Sequence, residues 1–305
     1  MRALIVTNMY PTPERPALGV FVRDQVEALK RIEGVEVEAF AFAPGNARNY
    51  TRAAAALRRR AGKVDIVHAH FGLTAFPALA APARRRIVTL HGTDLAHPRS
   101  RTITLAALRL YDAVATVSTP LARDVPSWAV RDSVRVLPCG VDLHRFKPIP
   151  RADARAALGL DPAGPYLLFP ADPARAEKRH DRAAAVAKDT PLLALDNVDP
   201  ARVPLYVNAA NAVLVPSERE GFGLAVLEAL ACEVPVLATP VGIAPDALRD
   251  LPGTYCGPFE HERWRELLEP HLAAADPRVP GRPRAEPFSA DAMARQVLAA
   301  WRSIG

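Results

Sequence analysis

The chain has 305 residues, half of them apolar and 24% charged, an ordinary globular composition with length enough for two α/β domains. No apolar run approaches the roughly 20 residues of a spanning helix. The formal charge of +6 favours anionic partners but carries no information on fold. Cys139, Cys232 and Cys256 lack CxxC or Cys/His spacing, so neither a zinc site nor a disulfide framework is expected, and a reduced, cytoplasmic chain is.

In chain order, short apolar runs alternate with helical stretches, the pattern of βαβ units and parallel sheets. The opening MRALIVTNMYP has a short apolar stretch ending in a proline turn, so residues 3–7 are expected to be a first strand rather than part of a leader. Residues 21–31 follow as a helix with Phe21, Val22, Val26, Leu29 and Ile32 inward. Strands are predicted at 35–43, 65–68, 86–90, 113–117 and 134–137, making six. His70, nearer its strand end than His68, is expected to approach a site there, with His68 turned to the other side.

The pattern breaks in KPIPRA at 147–152, a proline-rich stretch suited to a linker. A second series then places strands at 166–169, 192–195, 212–215, 235–238 and 253–256. The last segment puts Met293, Val297, Trp301 and Ile304 on one face of a terminal helix. The expected domains are therefore 1–147 and 148–289, with a helix over 290–305 docking back near the domain junction.

Residues 215–240, VPSEREGFGLAVLEALACEVPVLATP, carry the most chemistry. A strand runs through a polar turn and Gly221-Phe222-Gly223 into a helix over 224–232. Glycines let backbone approach a ligand, and the free N–H groups and positive end of a helix favour an anion. Ligands in open parallel sheets bind at such carboxyl strand ends. Two carboxylates, Glu220 and Glu228, flank this spot. Beside a phosphate they make sense as acceptors from neutral hydroxyls of a sugar and a ribose; solvated helix charges are the bland alternative.

This run resembles the E-x7-E signature of glycosyltransferase family 4. Further resemblance follows in order: NMYPTPERPALGVFV at 8–22, DIVHAHFG at 65–72, VTLHGTDL at 88–95, VRVLPCGVDLHRFKP at 134–148, EKR at 177–179 and PVLATPVG at 235–242. It covers nearly the whole chain. The resemblance implies an α/β GT-B fold: two Rossmann-like parallel-sheet domains facing across a cleft, the first on the acceptor side, the second on the nucleotide-sugar donor side.

By the same resemblance, Glu228 binds the ribose, Glu220 contacts the donor sugar, and the backbone of Phe222, Gly223 and Leu224 approaches the diphosphate. Lys178 neutralises the donor phosphates, and His91 faces the donor sugar from the N-terminal domain. Gly19 lines the phosphates from the first βα loop, where the family often has two glycines and this chain has Leu18-Gly19. The family usually carries a Gly-Arg pair before the lysine; Asp172 and Pro173 stand here instead, leaving Arg175 or Arg179 to replace the arginine. Asp94 is expected to cap the turn after His91. Only 37 residues separate Lys178 from Pro216, fewer than the family commonly has, so a compact second domain is expected with the 197–203 loop nearest the base.

The implied activity is retaining transfer of a sugar from a nucleotide-diphosphate sugar to an acceptor hydroxyl. No metal or other cofactor is expected, the nucleotide sugar being a co-substrate. Two alternatives stay open: a GT-B nucleotide-sugar epimerase or phosphorylase, and a degenerate nucleotide-sugar-binding protein without turnover. The acceptor, whether glycan, lipid-linked or small molecule, is not legible. Dispersed basic residues without interleaved aromatics argue against nucleic acid. Residues 52–63 (RAAAALRRRAGK), read as a helix, put Arg52, Arg59, Arg60 and Lys63 on one side. A solvated face is the plain reading; weak peripheral contact with anionic lipid at the inner face of the membrane is the functional one.

Overall fold

The computed structural model describes residues 1–60 and 62–304; Ala61, inside the segment read as a basic helix, and Gly305, at the end of the expected terminal helix, lie outside the described residues. The chain divides into two compact units. One comprises Met1–Gly140 with the segment from Ala290 onward, the other Val141–Ser289.

The first unit is built on six parallel strands: β1 (Arg2–Thr7), β2 (Glu36–Ala41), β3 (Val64–His70), β4 (Ala83–Leu90), β5 (Ala113–Thr116) and β6 (Arg135–Val136), in the order β2-β1-β3-β4-β5-β6. Central strands β1 and β3 are buried almost throughout, as expected of strands covered on both faces. Its helices are α1 (Val20–Lys30), α2 (Ala47–Arg58), α3 (Ala75–Ala78), α4 (Thr93–Ala96), α5 (Pro98–Leu108) and α6 (Thr119–Arg123). The β1-to-β2 step runs opposite to the later steps, so right-handed crossovers place α1 on one face and α2, α3 and α5 on the other.

The terminal helix, Ala290–Arg302, packs against α1. Met293, Val297 and Trp301 recur every four residues, and that face is buried with Ile5, Val26, Leu29, Ile66 and Ile87, while Ile304 packs at its edge. Arg31 pairs with Asp291 at 2.6 Å on the rim. The chain's last residues thus complete the core of its first unit.

The second unit holds five parallel strands, β7 (Leu167–Phe169), β8 (Leu192–Ala194), β9 (Ala212–Val215), β10 (Val236–Ala238) and β11 (Tyr255–Cys256), ordered β11-β10-β9-β7-β8. Its helices are α7 (Arg151–Leu158), α8 (His180–Ala187), α9 (Val203–Ala209), α10 (Leu224–Ala231), α11 (Ala244–Ala247), α12 (His261–Ala273) and α13 (Arg282–Ala285). Phe169, Leu214, Leu237 and Trp264 form the centre of its core.

Four arginines cap two helices here. Arg155 and Arg151 donate to the carbonyls of Ala209 and Ala210 at the end of α9. Arg282 and Arg278 donate to those of Ala231 and Cys232 at the end of α10, each at 2.8 Å. A cation at a helix C-terminus satisfies orphan carbonyls and complements the dipole.

Two sequence expectations shift. Residues 141–147, read as the end of the first domain, belong to the second unit: Val141 bridges to Ser289, and Arg282 donates to the carbonyls of Leu143 and Phe146. The basic helix starts earlier and stops sooner than 52–63. Asn46 caps it, its side chain accepting from the Asn49 amide, and the helix ends at Arg58, so Arg59, Arg60 and Lys63 are not on it. Arg60 instead pairs with Glu38.

Numbered within itself, each unit has the strand order 2-1-3-4-5 on its first five strands. The order reverses direction between β1 and β3 in the first unit and between β7 and β9 in the second. Open α/β sheets bind ligands beyond the carboxyl ends of strands at such a switch point.

Candidate active site

In the second unit the switch point gathers the residues singled out from sequence. The segment after β7 turns through Asp172, whose carboxylate accepts from the Ala174 amide, and ends in a short 3-10 turn at Ala176–Lys178. The segment after β9 carries Ser217, Glu218 and Glu220 into α10. The two are stitched together by the Glu218 amide donating to the Glu177 carbonyl at 2.9 Å.

Here Lys178 Nζ donates to both carboxylate oxygens of Glu220, each at 2.6 Å. Both side chains are largely buried, 14% and 11% exposed. Ser217 Oγ adds a third hydrogen bond to Glu220 Oε1 at 2.8 Å. The sequence assigned Lys178 to phosphates and Glu220 to a sugar; the structure makes them direct partners. A donor phosphate reaching Lys178 has to share it with Glu220.

Beside this pair begins α10. Gly223 is its N-cap, with φ 87 and ψ 44 in the left-handed region. An alanine Cβ there would meet nothing closer than 3.7 Å, so dihedral rather than space demands glycine. Having no side chain, Gly223 leaves the helix start uncapped. Phe222 is buried against Phe288 and its carbonyl accepts from the Ile243 amide at 2.7 Å, which fixes the backbone leading into the helix. Leu224 opens the first turn. Glu228, partly exposed, lies one turn further along α10.

Neither candidate for the missing arginine stands alone. Arg175 grips Glu177 through Nε and Nη2 at 3.1 and 2.8 Å. Arg179, itself in the left-handed region at φ 57, pairs with Asp181 and Glu218. These carboxylates hold the Arg179 pKa above its ordinary value, and Arg179 in turn draws the Asp181 carboxyl down to about 2. Each arginine that met a phosphate would share its guanidinium with a carboxylate.

In the first unit, Gly19 is the N-cap of α1 at φ 66. A Cβ there would lie 2.2 Å from the Met9 carbonyl oxygen. Close packing of the loop on itself therefore accounts for this glycine without any ligand.

His91 follows β4 and is enclosed by rings: Phe71, Phe21 and His70 have centroids 4.6, 4.9 and 5.2 Å away. Phe71 adopts φ 73, a conformation costly for a side chain with a Cβ, and so swings its ring onto His91. Asp94 is buried, and its two oxygens accept from the amides of Gly72 and His91 at 2.5 Å each. Rather than capping the short helix that follows, whose N-cap is Gly92, this carboxylate ties the β3 and β4 loops together. Burial raises its carboxyl pKa, with the backbone amides opposing.

His68 and His70 do not face opposite sides. Two residues apart on one strand, they share a face, and their rings stack at 4.5 Å. A directed chain of hydrogen bonds follows. Trp301 Nε1 can only donate, so His68 Nδ1 accepts at 3.2 Å and its Nε2 donates to Thr89 Oγ1 at 2.7 Å. The Gln25 amide nitrogen donates to His70 Nε2 at 3.1 Å, leaving the His70 proton on Nδ1, which donates to His91 Nε2 at 3.0 Å. His91 therefore carries its own proton on Nδ1. Burial keeps all three rings neutral, lowering His70 to about 3 and His68 and His91 well below their ordinary value.

Sequence reasoning missed Gln25, Phe71, Thr89 and Trp301. Only the buried spacing of Gln25 and Trp301 on otherwise apolar helix faces hinted at buried polar partners. Among the described residues, no group of three or more His, Cys, Asp or Glu is placed to hold a metal ion.

The family profile described as Glycosyltransferase Family 4 matches residues 4–145, and that described as Glycosyl transferases group 1 matches residues 172–276. A D-inositol 3-phosphate glycosyltransferase from Mycolicibacterium paratuberculosis is 30% identical over 351 aligned positions, covering 96% of this chain and 78% of that protein. One of the same description from Segniliparus rotundus is 33% identical over 213 residues, 56% of this chain and 47% of the relative. The match to its counterpart in Mycolicibacterium gilvum, 35% over 176 residues, spans 40% of that relative. The chain thus spans about half the length of these last two. Among solved structures, sucrose-phosphate synthase from Thermosynechococcus elongatus superposes with TM-score 0.74 at 19% identity over 100% of this chain and 99% of that one. Anabaena Alr3699/HepE in complex with UDP-glucose gives 0.72 at 15% identity, covering 99% of each.

The fold is GT-B, and the chain belongs to glycosyltransferase family 4.

Proposed function

We propose that this protein transfers a sugar from a nucleotide-diphosphate sugar to an acceptor hydroxyl with retained anomeric configuration. The observation that carries the reading is the Lys178–Glu220 pair beside the uncapped start of α10, at the switch point of the second sheet. A diphosphate seated there meets the helix N-terminus and the Lys178 ammonium, while Glu220, released from part of its ion pair, accepts from sugar hydroxyls. Glu228 accepts from the ribose, and the backbone of Phe222, Gly223 and Leu224 lies along the phosphates. One of Arg175 and Arg179 shares its guanidinium between its carboxylate and a phosphate oxygen.

In the reaction the bond from C1 to the phosphate oxygen breaks on the same face on which the acceptor oxygen bonds to C1. The acceptor proton passes to the departing diphosphate. Charge develops on that diphosphate, so a preorganised cation and helix dipole lower the barrier. These groups supply the positive charge that a metal would otherwise bring, which is the basis for reading the reaction as metal-independent. His91, whose proton sits on Nδ1, is proposed as a catalytic group of the first unit.

UDP-glucose, carried by the Anabaena relative, is the first donor to test, and D-inositol 3-phosphate, named in the curated relatives, the first acceptor. Thermal shift across UDP-, GDP- and ADP-sugars, followed by product analysis by NMR, tests the proposal. A stabilising donor whose sugar reaches the acceptor with its anomeric configuration kept supports it; an inverted product overturns it.

A second reading has its own observation. Because both Arg175 and Arg179 are already engaged, the phosphate clamp is weaker than the family pattern, as in a protein that binds a nucleotide sugar without turning it over. Donor binding without transfer across an acceptor panel would favour that reading.

A further inference from the structure

Charge is distributed unevenly along the chain. Residues 42–131 contain fourteen arginines and lysines against four aspartates, so the excess there is larger than the +6 of the whole chain. Three of those aspartates are engaged. Asp65 meets Arg84, Asp112 meets Arg85 and the Arg86 amide, and Asp94 is buried. The fourth, Asp124, is exposed.

Part of this excess lies on the helices that cover one face of the first sheet. On the face of the first sheet opposite α1, α2 packs against α3, α3 against α5, and α5 against the short turn Ser127–Ala129. Neither α2 nor α5 contains an acidic residue. Arg52, Ala55 and Ala56 are exposed along α2, with Arg59 just past its end; Arg99, Ile103 and Ala106 are exposed along α5, with Arg109 and Leu110 just past its end.

Large apolar side chains stand out among these cations. Trp128 is 61% exposed, Leu110 52%, Ile103 46% and Phe76 42%, against an otherwise well-buried apolar complement. Arg109 donates to the Trp128 carbonyl and Arg131 to the Arg109 carbonyl, each at 2.7 Å, which holds the tryptophan beside the end of α5.

We propose that this layer of the first unit docks on an anionic lipid surface, with Trp128, Leu110, Ile103 and Phe76 entering the headgroup boundary. Arginines around them meet lipid phosphates. Tryptophan and aliphatic side chains set among arginines suit the chemistry of a membrane interface. The basic helix singled out from sequence is one edge of this surface. Alone it offers only alanines between its arginines; α5 and Trp128 supply the anchors. Nucleic acid fits the cations but not Ile103 and Leu110, which offer no ring for base stacking.

The experiment uses the protein's own fluorescence. Trp264 and Trp301 are fully buried, so emission that responds to added vesicles or to acrylamide comes from Trp128. With vesicles of equal parts phosphatidylcholine and phosphatidylglycerol at low salt, that emission should shift to the blue and become shielded from acrylamide. Co-sedimentation with the same vesicles should fall steeply at high salt. Trp128→Ala with Leu110→Ser should weaken sedimentation by about tenfold or more, and Arg52→Glu with Arg109→Glu should do so by a comparable factor, with unchanged circular dichroism in both. Equal binding to pure phosphatidylcholine, variants that sediment like the wild type, or an unshifted Trp128 emission would each overturn the proposal. So would binding to a nucleic-acid duplex in the absence of any vesicle binding.

Discussion

Lys178 and Glu220 form a doubly hydrogen-bonded ion pair, 42 residues apart in the chain, at the carboxyl ends of adjacent strands β7 and β9. Removing one partner leaves the other charge largely buried. Lys178→Met is therefore expected to cost about 3 kcal/mol in denaturant unfolding, the low end for a buried pair because Ser217 still serves Glu220. Lys178→Met with Glu220→Gln should recover most of that loss. In transfer assays the single lysine variant should lose roughly a hundred- to a thousandfold in kcat, as expected when a charge-stabilising group is removed. Stability restored in the double variant without activity would separate the two roles; activity restored along with it would count against the phosphate assignment of Lys178.

The two helix-capping glycines should respond differently to alanine. Gly223→Ala meets only the left-handed backbone penalty, about 1–2 kcal/mol. Gly19→Ala adds a Cβ placed 2.2 Å from the Met9 carbonyl and should destabilise more, because the loop must move. Melting temperatures rank the two directly. If Gly223→Ala is the worse for folding, the geometry of the α10 start is wrong; if it spares folding but weakens donor thermal shift, the diphosphate assignment gains.

Acid should destabilise the first unit early. His68, His70 and His91 are held neutral in the fold, with His70 lowered to about 3, whereas the unfolded chain protonates them near 6.5. Between those values the unfolded state binds more protons, so stability rises with pH and is lost as pH falls below about 6.5. His70 contributes up to about 1.4 kcal/mol per pH unit in that window, and His68 and His91 act in the same direction. Asp94, whose pKa is raised, works in the opposite sense, but it is one group against three. Urea titrations at pH 7, 6 and 5 should show the decline, and His68→Gln with His70→Gln should flatten it.

Trp301 is fully buried and donates to His68 Nδ1. Trp301→Ala should cost about 3–5 kcal/mol from lost packing. Because the terminal helix belongs to the first unit, hydrogen exchange should rise in β1 and β3 before it rises in β7 and β9. Equal loosening of both sheets would contradict that assignment.

Much of this is legible in the sequence. All eleven strands were expected within a few residues, because short buried runs punctuated by Gly, Pro and His leave little choice. Residues 224–231 read as a helix behind a glycine turn, and the terminal helix read correctly from Met293, Val297 and Trp301. Besides the domain boundary at 141–147, two expectations fail. The 52–63 helix was misplaced because a basic run after Arg58 looked like more of the same face, while Asn46 supplied an unnoticed cap upstream. His68 and His70 were separated although two-residue spacing puts them together.

By itself, then, the sequence determined the alternation of strand and helix, the glycine at the start of α10 and the presence of Lys178, Glu220 and His91 in the segments that follow strands. Those are local facts, written in spacing and residue type. What only tertiary structure decided is who meets whom. Lys178 reaches Glu220 because β7 and β9 are neighbours in a sheet whose order is not its chain order. Trp301 reaches His68 because the last helix folds back onto the first sheet. Charge pairing and tautomers depend on such contacts between segments far apart in the chain, and no local pattern encodes them.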